Sequence, residues 1–185
     1  MNILTICTNG TEDSELVGTV SLLKRGNIDT TLLSVAKDKV ITGSHGVKIV
    51  CDLSYNDVKN KDLLAYDGLF FPGGGRGSKE IRENEGVLSL VREYAKKEKP
   101  IFAICGAPSI LGFAGVLKNK RFTCYDGFEQ YVKGGIYVKE NVVKDQNIIT
   151  ARSVNYVTEF ALMIIDYLQG SEIKNKVIKA ILRED

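Results

Sequence analysis

The run Pro100-Ile101-Phe102-Ala103-Ile104-Cys105-Gly106-Ala107-Pro108-Ser109 constrains this chain more than any other stretch. Four apolar residues that read as a buried strand stop at a thiol, and a helix-starting segment follows at once. Small residues, Ala103 and Ala107, sit two positions before and two after the sulfur. This is the layout of a nucleophile elbow, with cysteine in place of serine. Such a turn lifts the side chain out of the sheet and aims helix amides at it. A free cysteine is commonly just a small buried hydrophobe. A thiol at a helix N-terminus, however, feels the positive end of the dipole and nearby N–H groups, which stabilise thiolate. Cys105 is therefore the first candidate for a reactive residue.

An elbow needs a sheet, and the rest of the chain supplies one. Asn2 to Thr8 reads as an apolar first strand, followed by a helix over Glu12 to Arg25 that Gly26 stops. A second strand covers Thr30 to Val35. Val40 to Leu53, rich in β-branched residues and carrying Gly43 and Gly46, reads as a β-ribbon excursion. Leu69-Phe70-Phe71 is a buried strand that ends in Pro72-Gly73-Gly74-Gly75-Arg76-Gly77. Lys79 to Lys97 is helical, in two pieces broken near Asn84-Glu85-Gly86. After the elbow come a helix from about Ala107 to Leu117, a short strand over Arg121 to Tyr125, a hairpin over Val142 to Thr150 and an apolar helix over Val157 to Leu168. The tail places Ile173, Val177, Ile178, Ile181 and Leu182 on one face. Strands interleaved with helices predict an α/β fold, with a mostly parallel sheet covered on both sides. Sites in such sheets lie beyond the C-terminal strand ends. Three loops belong there: Asn9 to Glu15, Pro72 to Gly77, and Cys105 to Pro108.

Composition narrows the function classes. The chain has 185 residues, 44% hydrophobic and 26% charged, with a net charge of +2, which fits one globular domain. No basic stripe with interleaved aromatics supports nucleic-acid binding. No stretch approaches the ~20 apolar residues of a membrane span. The N-terminus lacks the basic start and long apolar run of a signal peptide, so a cytoplasmic protein is expected. The cysteines, at 7, 51, 105 and 124, form no Cys-x-x-Cys motif and are accompanied by one histidine. No zinc site is expected, and the thiols should be reduced.

Four further features surround the elbow in the argument. Gly73-Gly74-Gly75-Arg76-Gly77 fails as a P-loop because no Gly-Lys-Ser/Thr follows, and Ser78 stands where a dinucleotide fingerprint has its third glycine. Bare backbone N–H groups near Cys105 would instead form an oxyanion hole. Glu15 complements the helix dipole, as Glu12 and Asp13 do, yet its place after the first strand brings it towards the elbow. Buried beside a thiolate, its carboxyl would be protonated and would donate a hydrogen bond to sulfur. His45, in Gly43-Ser44-His45-Gly46, is far from the elbow in sequence, which gives little support to a cysteine-protease arrangement. Arg152, after Ile148-Ile149-Thr150, would orient an anion or tie down a loop.

Gly10-Thr11-Glu12-Asp13-Ser14-Glu15, Asp67-Gly68-Leu69-Phe70-Phe71-Pro72-Gly73-Gly74, Ala103-Ile104-Cys105-Gly106-Ala107-Pro108, Ile149-Thr150-Ala151-Arg152 and Glu159-Phe160-Ala161-Leu162 occur in that order. In this combination the chain resembles the ThiJ/PfpI superfamily, in its ThiJ-like (DJ-one) branch, to about Leu168. The resemblance implies a flavodoxin-like three-layer sandwich, a homodimer and no cofactor. It implies one domain over 1–185, with a common core to about 170 and a helical extension over 171–185. Cys105 would be the elbow thiol, Glu15 its protonated partner, and Gly74 and Gly106 the oxyanion amides. Relatives with a histidine near the thiol carry it after the strand that follows the elbow helix. The matching place here is Cys124, which would put a second thiol near the first. His45 matches a position that lies near the partner's site in dimeric relatives.

The expected function is a cysteine-dependent stress-response enzyme acting on small reactive aldehydes. It would be glyoxalase III-like, turning methylglyoxal to lactate, with deglycase activity on glycated proteins ranked lower. The alternative is a non-catalytic sensor or chaperone switched by oxidation of Cys105 to sulfinic acid. Thiazole biosynthesis, the label such sequences often carry, has no phosphate-binding loop here to support it.

Overall fold

The computed structural model describes residues 1–182. The chain runs β1 (Asn2–Cys7), α1 (Asp13–Arg25), β2 (Asp29–Ser34), β3 (Val40–Thr42), β4 (Lys48–Val50), β5 (Leu53–Ser54), α2 (Asn60–Leu63), β6 (Gly68–Phe71), α3 (Gly75–Arg82), α4 (Glu85–Lys96), β7 (Ile101–Ile104), α5 (Pro108–Phe113), β8 (Arg121–Phe122), β9 (Ile136–Tyr137), β10 (Val142–Asp145), β11 (Ile148–Ala151), α6 (Val157–Gln169) and α7 (Ser171–Ala180).

Seven strands form the central sheet, in the order β10-β11-β7-β6-β1-β2-β5. Every neighbouring pair is parallel except β10 with β11. The four residues of β6 and the four of β7 are all buried, as a strand covered on both faces requires. One face packs against α3, α4 and α5 through Ile81, Val87, Leu90, Val91, Ile110 and Leu111. The other packs against α1, α6 and α7 through Leu23, Phe160, Ile164, Ile165 and Val177. The result is a three-layer flavodoxin-like sandwich. From β1 the chain winds to β2 on one side, then returns to β6 on the other. The crevice above β1 and β6 is thus the switch point where α/β sheets place ligands.

Several boundaries differ from the sequence reading. The helix expected over Ala107 to Leu117 ends at Phe113. Gly112 there faces the chain at residues 131–132, where a Cβ would meet the Tyr131 oxygen at 2.6 Å, and Gly115 turns the chain with φ +76°. The strand expected over Arg121 to Tyr125 stops at Phe122. Beyond it the Thr123 N–H donates to Thr150 Oγ1 (3.0 Å) and the Tyr125 N–H to the Cys105 carbonyl (2.8 Å), so ladder bonding is replaced by ties to the elbow. The break in Lys79–Lys97 falls at Glu83–Asn84, where the Asn84 side chain caps α4 by accepting from the Val87 N–H. The expected excursion is an antiparallel β3–β4 ribbon. In the tail, Ile173, Val177, Ile178 and Ile181 pack on the α6 side of the core, but Leu182 is exposed, where the backbone beyond α7 turns left-handed (φ +53°). Residues 183–185 of the expected extension lie outside the described residues. Among the described residues, no helix is long and apolar enough to cross a membrane.

Candidate active site

Three adjacent strands, β1, β6 and β7, end at the same edge, and their loops build the site. Cys105 follows β7 with φ +63°, a left-handed backbone that a residue with a Cβ adopts only when its surroundings enforce it. Two hydrogen bonds do so here. The Cys105 N–H donates to the Ala151 carbonyl at the end of β11, and the Cys105 carbonyl accepts from the Tyr125 N–H, both at 2.8 Å. Pro108, with no N–H to leave unpaired, starts α5 directly behind the turn. The elbow read from the sequence is therefore present, and its strain is visible in the backbone.

The loop after β1 meets the loop after β6 face to face. The Glu12 N–H donates to the Gly73 carbonyl (3.0 Å), and the Gly73 N–H donates to Glu15 Oε2 (2.8 Å). Glu12 also caps α1, its carboxylate accepting from the Glu15 N–H. Only glycine fits at 73. A Cβ there would fall 2.5 Å from Glu15 Oε2 and 2.6 Å from Cys105 Cβ, so this residue is the spacer between carboxyl and thiol. The glycine run is not a free anion loop: Gly73 is committed to residues 12 and 15, and Gly74, at φ +97°, packs where a Cβ would lie 2.2 Å from the Gly10 carbonyl oxygen.

Glu15 is fully buried, and its Oε1 makes no hydrogen bond. Burial above all, and then the charge of Glu12, push its carboxyl up to about 7, against the pull of the Gly73 N–H and of Cys105. The thiol of Cys105 is half-buried. Burial, followed by the charge of Glu15 and a hydrogen bond with it, hold the thiol well above its usual range. The Gly74 and Gly106 amides pull the other way. A helix N-terminus alone thus does not make a thiolate here, contrary to the sequence expectation, because desolvation and a neighbouring carboxylate outweigh it. Glu15 and Cys105 titrate as a pair. When the pair holds one proton and that proton sits on Glu15, the repelling charge is gone while both amides still face the sulfur.

The auxiliary candidates are placed less favourably. Cys124 is fully buried among the residues under α5, whereas Cys105 packs with the core on the opposite sheet face. The residue tied to the elbow is Tyr125, whose side chain is exposed and packs edge-on against Phe128. His45 sits at the tip of the β3–β4 ribbon with its ring 74% exposed. Its Nδ1 lies 3.3 Å from Asp13 Oδ2 and 3.6 Å from Glu12 Oε1, and it makes no hydrogen bond to Cys105 or Glu15. Arg152 forms a two-pronged ion pair with Asp126 (2.8 Å to each oxygen), tying down a loop as the simpler reading had it.

Two features escaped the sequence reading. Glu12, Asp13 and His45 bring three metal-type ligand atoms within 4.8 Å of one another. Their oxygens are already engaged: Asp13 accepts from the His45 and Val47 N–H groups, and Glu12 caps α1. The trio is better explained as the anchor of the ribbon. The second feature is a cavity of about 250 Å³ lined by Tyr125, Asp126, Arg152, Ser153, Asn155 and Tyr156, next along the two segments that pin Cys105. The aromatic three residues past Phe122, Tyr125, was the one sequence signal for it.

A cysteine at the C-terminal end of an interior strand, in a left-handed elbow and backed by a buried carboxyl across a glycine, defines a cysteine-centred flavodoxin-like protein. The chain matches the DJ-1/PfpI family over residues 1–167 and belongs to it. It is 33% identical over 181 residues to Protein dj-1beta of Drosophila melanogaster, covering 97% of this chain and 95% of that one. A crystal structure of Drosophila melanogaster DJ-1beta superposes with a TM-score of 0.91 at 32% identity, covering 100% of this chain and 98% of that one. Deglycase PfpI of Pyrococcus furiosus is 34% identical over 154 residues, covering 82% of this chain and 90% of that protein. Protein DJ-1 homolog B of Arabidopsis thaliana is 27% identical over 181 residues; these cover 97% of this chain but 41% of that longer protein.

Proposed function

We propose that the protein is a cofactor-independent, cysteine-dependent enzyme acting on small reactive aldehydes, methylglyoxal among them. The observation that carries this reading is the Glu15–Gly73–Cys105 arrangement: a thiol and a proton-holding carboxyl one glycine apart, with two amides facing the sulfur. The relatives named deglycase support it at the family level.

In this mechanism the sulfur attacks the aldehyde carbon while Glu15 gives its proton to the carbonyl oxygen, forming a hemithioacetal. The Gly74 and Gly106 amides hold the developing oxyanion. Glu15, now a carboxylate, removes the proton from the former aldehyde carbon and returns it to the neighbouring carbon. The product is a thioester, which water cleaves to lactate and free thiol. Methylglyoxal plus water thus equals lactate, with no external oxidant or reductant. The protein would work as a homodimer. The test is lactate release from methylglyoxal, with Cys105→Ser as the control. Turnover lost with the sulfur supports the reading, and equal turnover in the variant removes it.

A second reading is favoured by the same amides. They would equally hold the oxygens of a Cys105 sulfinic acid, with protonated Glu15 donating to one of them, which suits an oxidation sensor or a redox-switched chaperone. Peroxide titration followed by intact mass tests it: Cys105 must gain two oxygens before the other thiols do.

A further inference from the structure

A second thiol centre lies apart from Cys105. Cys7 closes β1 and Cys51 follows β4, 44 positions later, and their sulfurs stand 3.5 Å apart. Both residues are buried, and they share a small cluster with Leu16, Ala36 and Ile41, separate from the two main cores. With partly buried Val20, Leu32 and Ile49, the cluster packs the β3–β4 ribbon against the body on its apolar side. Around it the contacts are hydrogen bonds: the Gly10 N–H to the Thr42 carbonyl and the Ser44 N–H to the Thr11 carbonyl, both at 2.8 Å. The ribbon therefore braces the loop that carries Glu12 and leads into α1, where Glu15 lies.

We propose that Cys7 and Cys51 are a dithiol couple that a small hydroperoxide oxidises to a disulfide, welding the ribbon to the end of β1. Nothing in the aldehyde chemistry uses either sulfur. Two apolar residues would fill this cluster as well, so a facing pair of thiols is not explained by packing alone. The sulfurs need to close from 3.5 Å to the ~2.05 Å of a disulfide, a movement that side-chain rotation and a small shift of an edge ribbon can supply.

The chemistry balances with the peroxide as sole oxidant. The Cys51 sulfur attacks one peroxide oxygen, the O–O bond breaks, and water (or an alcohol, from an organic peroxide) leaves, giving a sulfenic acid. The Cys7 sulfur then attacks that sulfur, the S–S bond forms, the S–O bond breaks, and water leaves with the Cys7 proton. Two thiols and hydrogen peroxide become a disulfide and two waters. Cys51 is the better first nucleophile: facing Cys7 lowers its pKa while that of Cys7 rises, and the Cys7 S–H donates to the Leu33 carbonyl (3.6 Å). Cys51 also lies between exposed Val50 and Asp52 at the sheet edge, the side from which a small oxidant would arrive.

The experiment uses full-length Cys105→Ser protein, so that the elbow thiol does not compete. After hydrogen peroxide the intact protein should be two mass units lighter, and denaturation and alkylation without reduction should then block two fewer thiols. Tryptic digestion should link the Met1–Lys24 and Ile49–Lys59 peptides, a link that a reductant releases. The oxidised protein should melt roughly 5–10 °C higher than the reduced one, because the link closes a long loop. In a Cys51→Ala, Cys105→Ser double variant both the link and the shift should vanish. Both thiols still alkylatable, both carried to sulfinic acid, or a link made to Cys124 instead would each overturn the proposal.

Discussion

Glu15 and Cys105 press on opposite sides of Gly73, so closely that one added methyl group would overlap both. This contact ties the protonation of the carboxyl to that of the thiol, and the resulting coupling can be read from outside. The Glu15 carboxyl is held at about 7 in the folded protein, against an ordinary value of 4.5. A raised carboxyl pKa means that the folded state grips its proton more tightly than the unfolded chain does. Its stabilising contribution is full below pH 4.5 and is lost as pH rises through 7. The shift corresponds to roughly 3 kcal/mol. Glu15→Gln keeps an acceptor for the Gly73 N–H and cannot ionise. The variant should therefore gain on the native protein by about that amount between pH 4 and pH 8.5, as read by urea denaturation at both ends.

The backbone of Cys105 provides a second test. At φ +63° it is left-handed, a conformation glycine adopts without strain and alanine does not. Cys105→Gly should be about 1 kcal/mol more stable than Cys105→Ala, although it removes more buried surface. Equal stabilities, or a more stable alanine variant, would mean the elbow stores no strain.

This elbow was legible in the sequence because a short apolar strand, a small-residue flank and Pro108 all bear on the same turn. The parallel sheet was legible for a similar reason: strands buried on both faces need no alternation and stand out as solid runs such as Leu69-Phe70-Phe71. What escaped was set by contacts between distant segments. Nothing local says that the chain leaves the ladder after Phe122, because the acceptors that draw it away, the Thr150 hydroxyl and the Cys105 carbonyl, come from β11 and the elbow. The raised thiol pKa was hidden as well, since a dipole argument sees the helix but neither the burial of the sulfur, the largest cause, nor a Glu15 that still carries its charge.

Gly106 faces a different wall. A Cβ on it would meet the Phe128 ring at 2.8 Å. Gly106→Ala should cost about 1–3 kcal/mol through overpacking, and it should displace an amide that faces the sulfur. Adding Phe128→Leu opens the space, so the double variant should recover much of the stability in thermal melts. No recovery would place the strain elsewhere.

Arg82 is a buried cation whose guanidinium lies 3.9 Å from the Tyr131 ring centre and 5.3 Å from that of Phe113. Its Nη1 donates to Ser109 Oγ (3.4 Å), which in turn donates to the Gly106 carbonyl (2.6 Å). The planar group stacks where an ammonium cannot. Arg82→Lys should therefore lose roughly 1–2 kcal/mol despite keeping its charge. The loss should shrink sharply in a Tyr131→Leu background, a cycle that isolates the stacking.

Under the proposed aldehyde chemistry, the pH dependence of turnover follows from the same coupled pair. Below about 7 the pair holds two protons, one on Glu15 and one on the thiol, and the sulfur is a weak nucleophile. Losing one proton leaves a state in which the remaining proton can sit on Glu15 while the amides face a thiolate. On this reading kcat/KM should rise with pH through about 7 and level off above it, because the second proton is held much more tightly. In Glu15→Gln no carboxyl remains to give up the first proton, so the rise should move well to the alkaline side, and turnover at pH 7.5 should fall by 10²-fold or more. A profile of Glu15→Gln that rises at the same pH as the native one would show that some other group controls the sulfur.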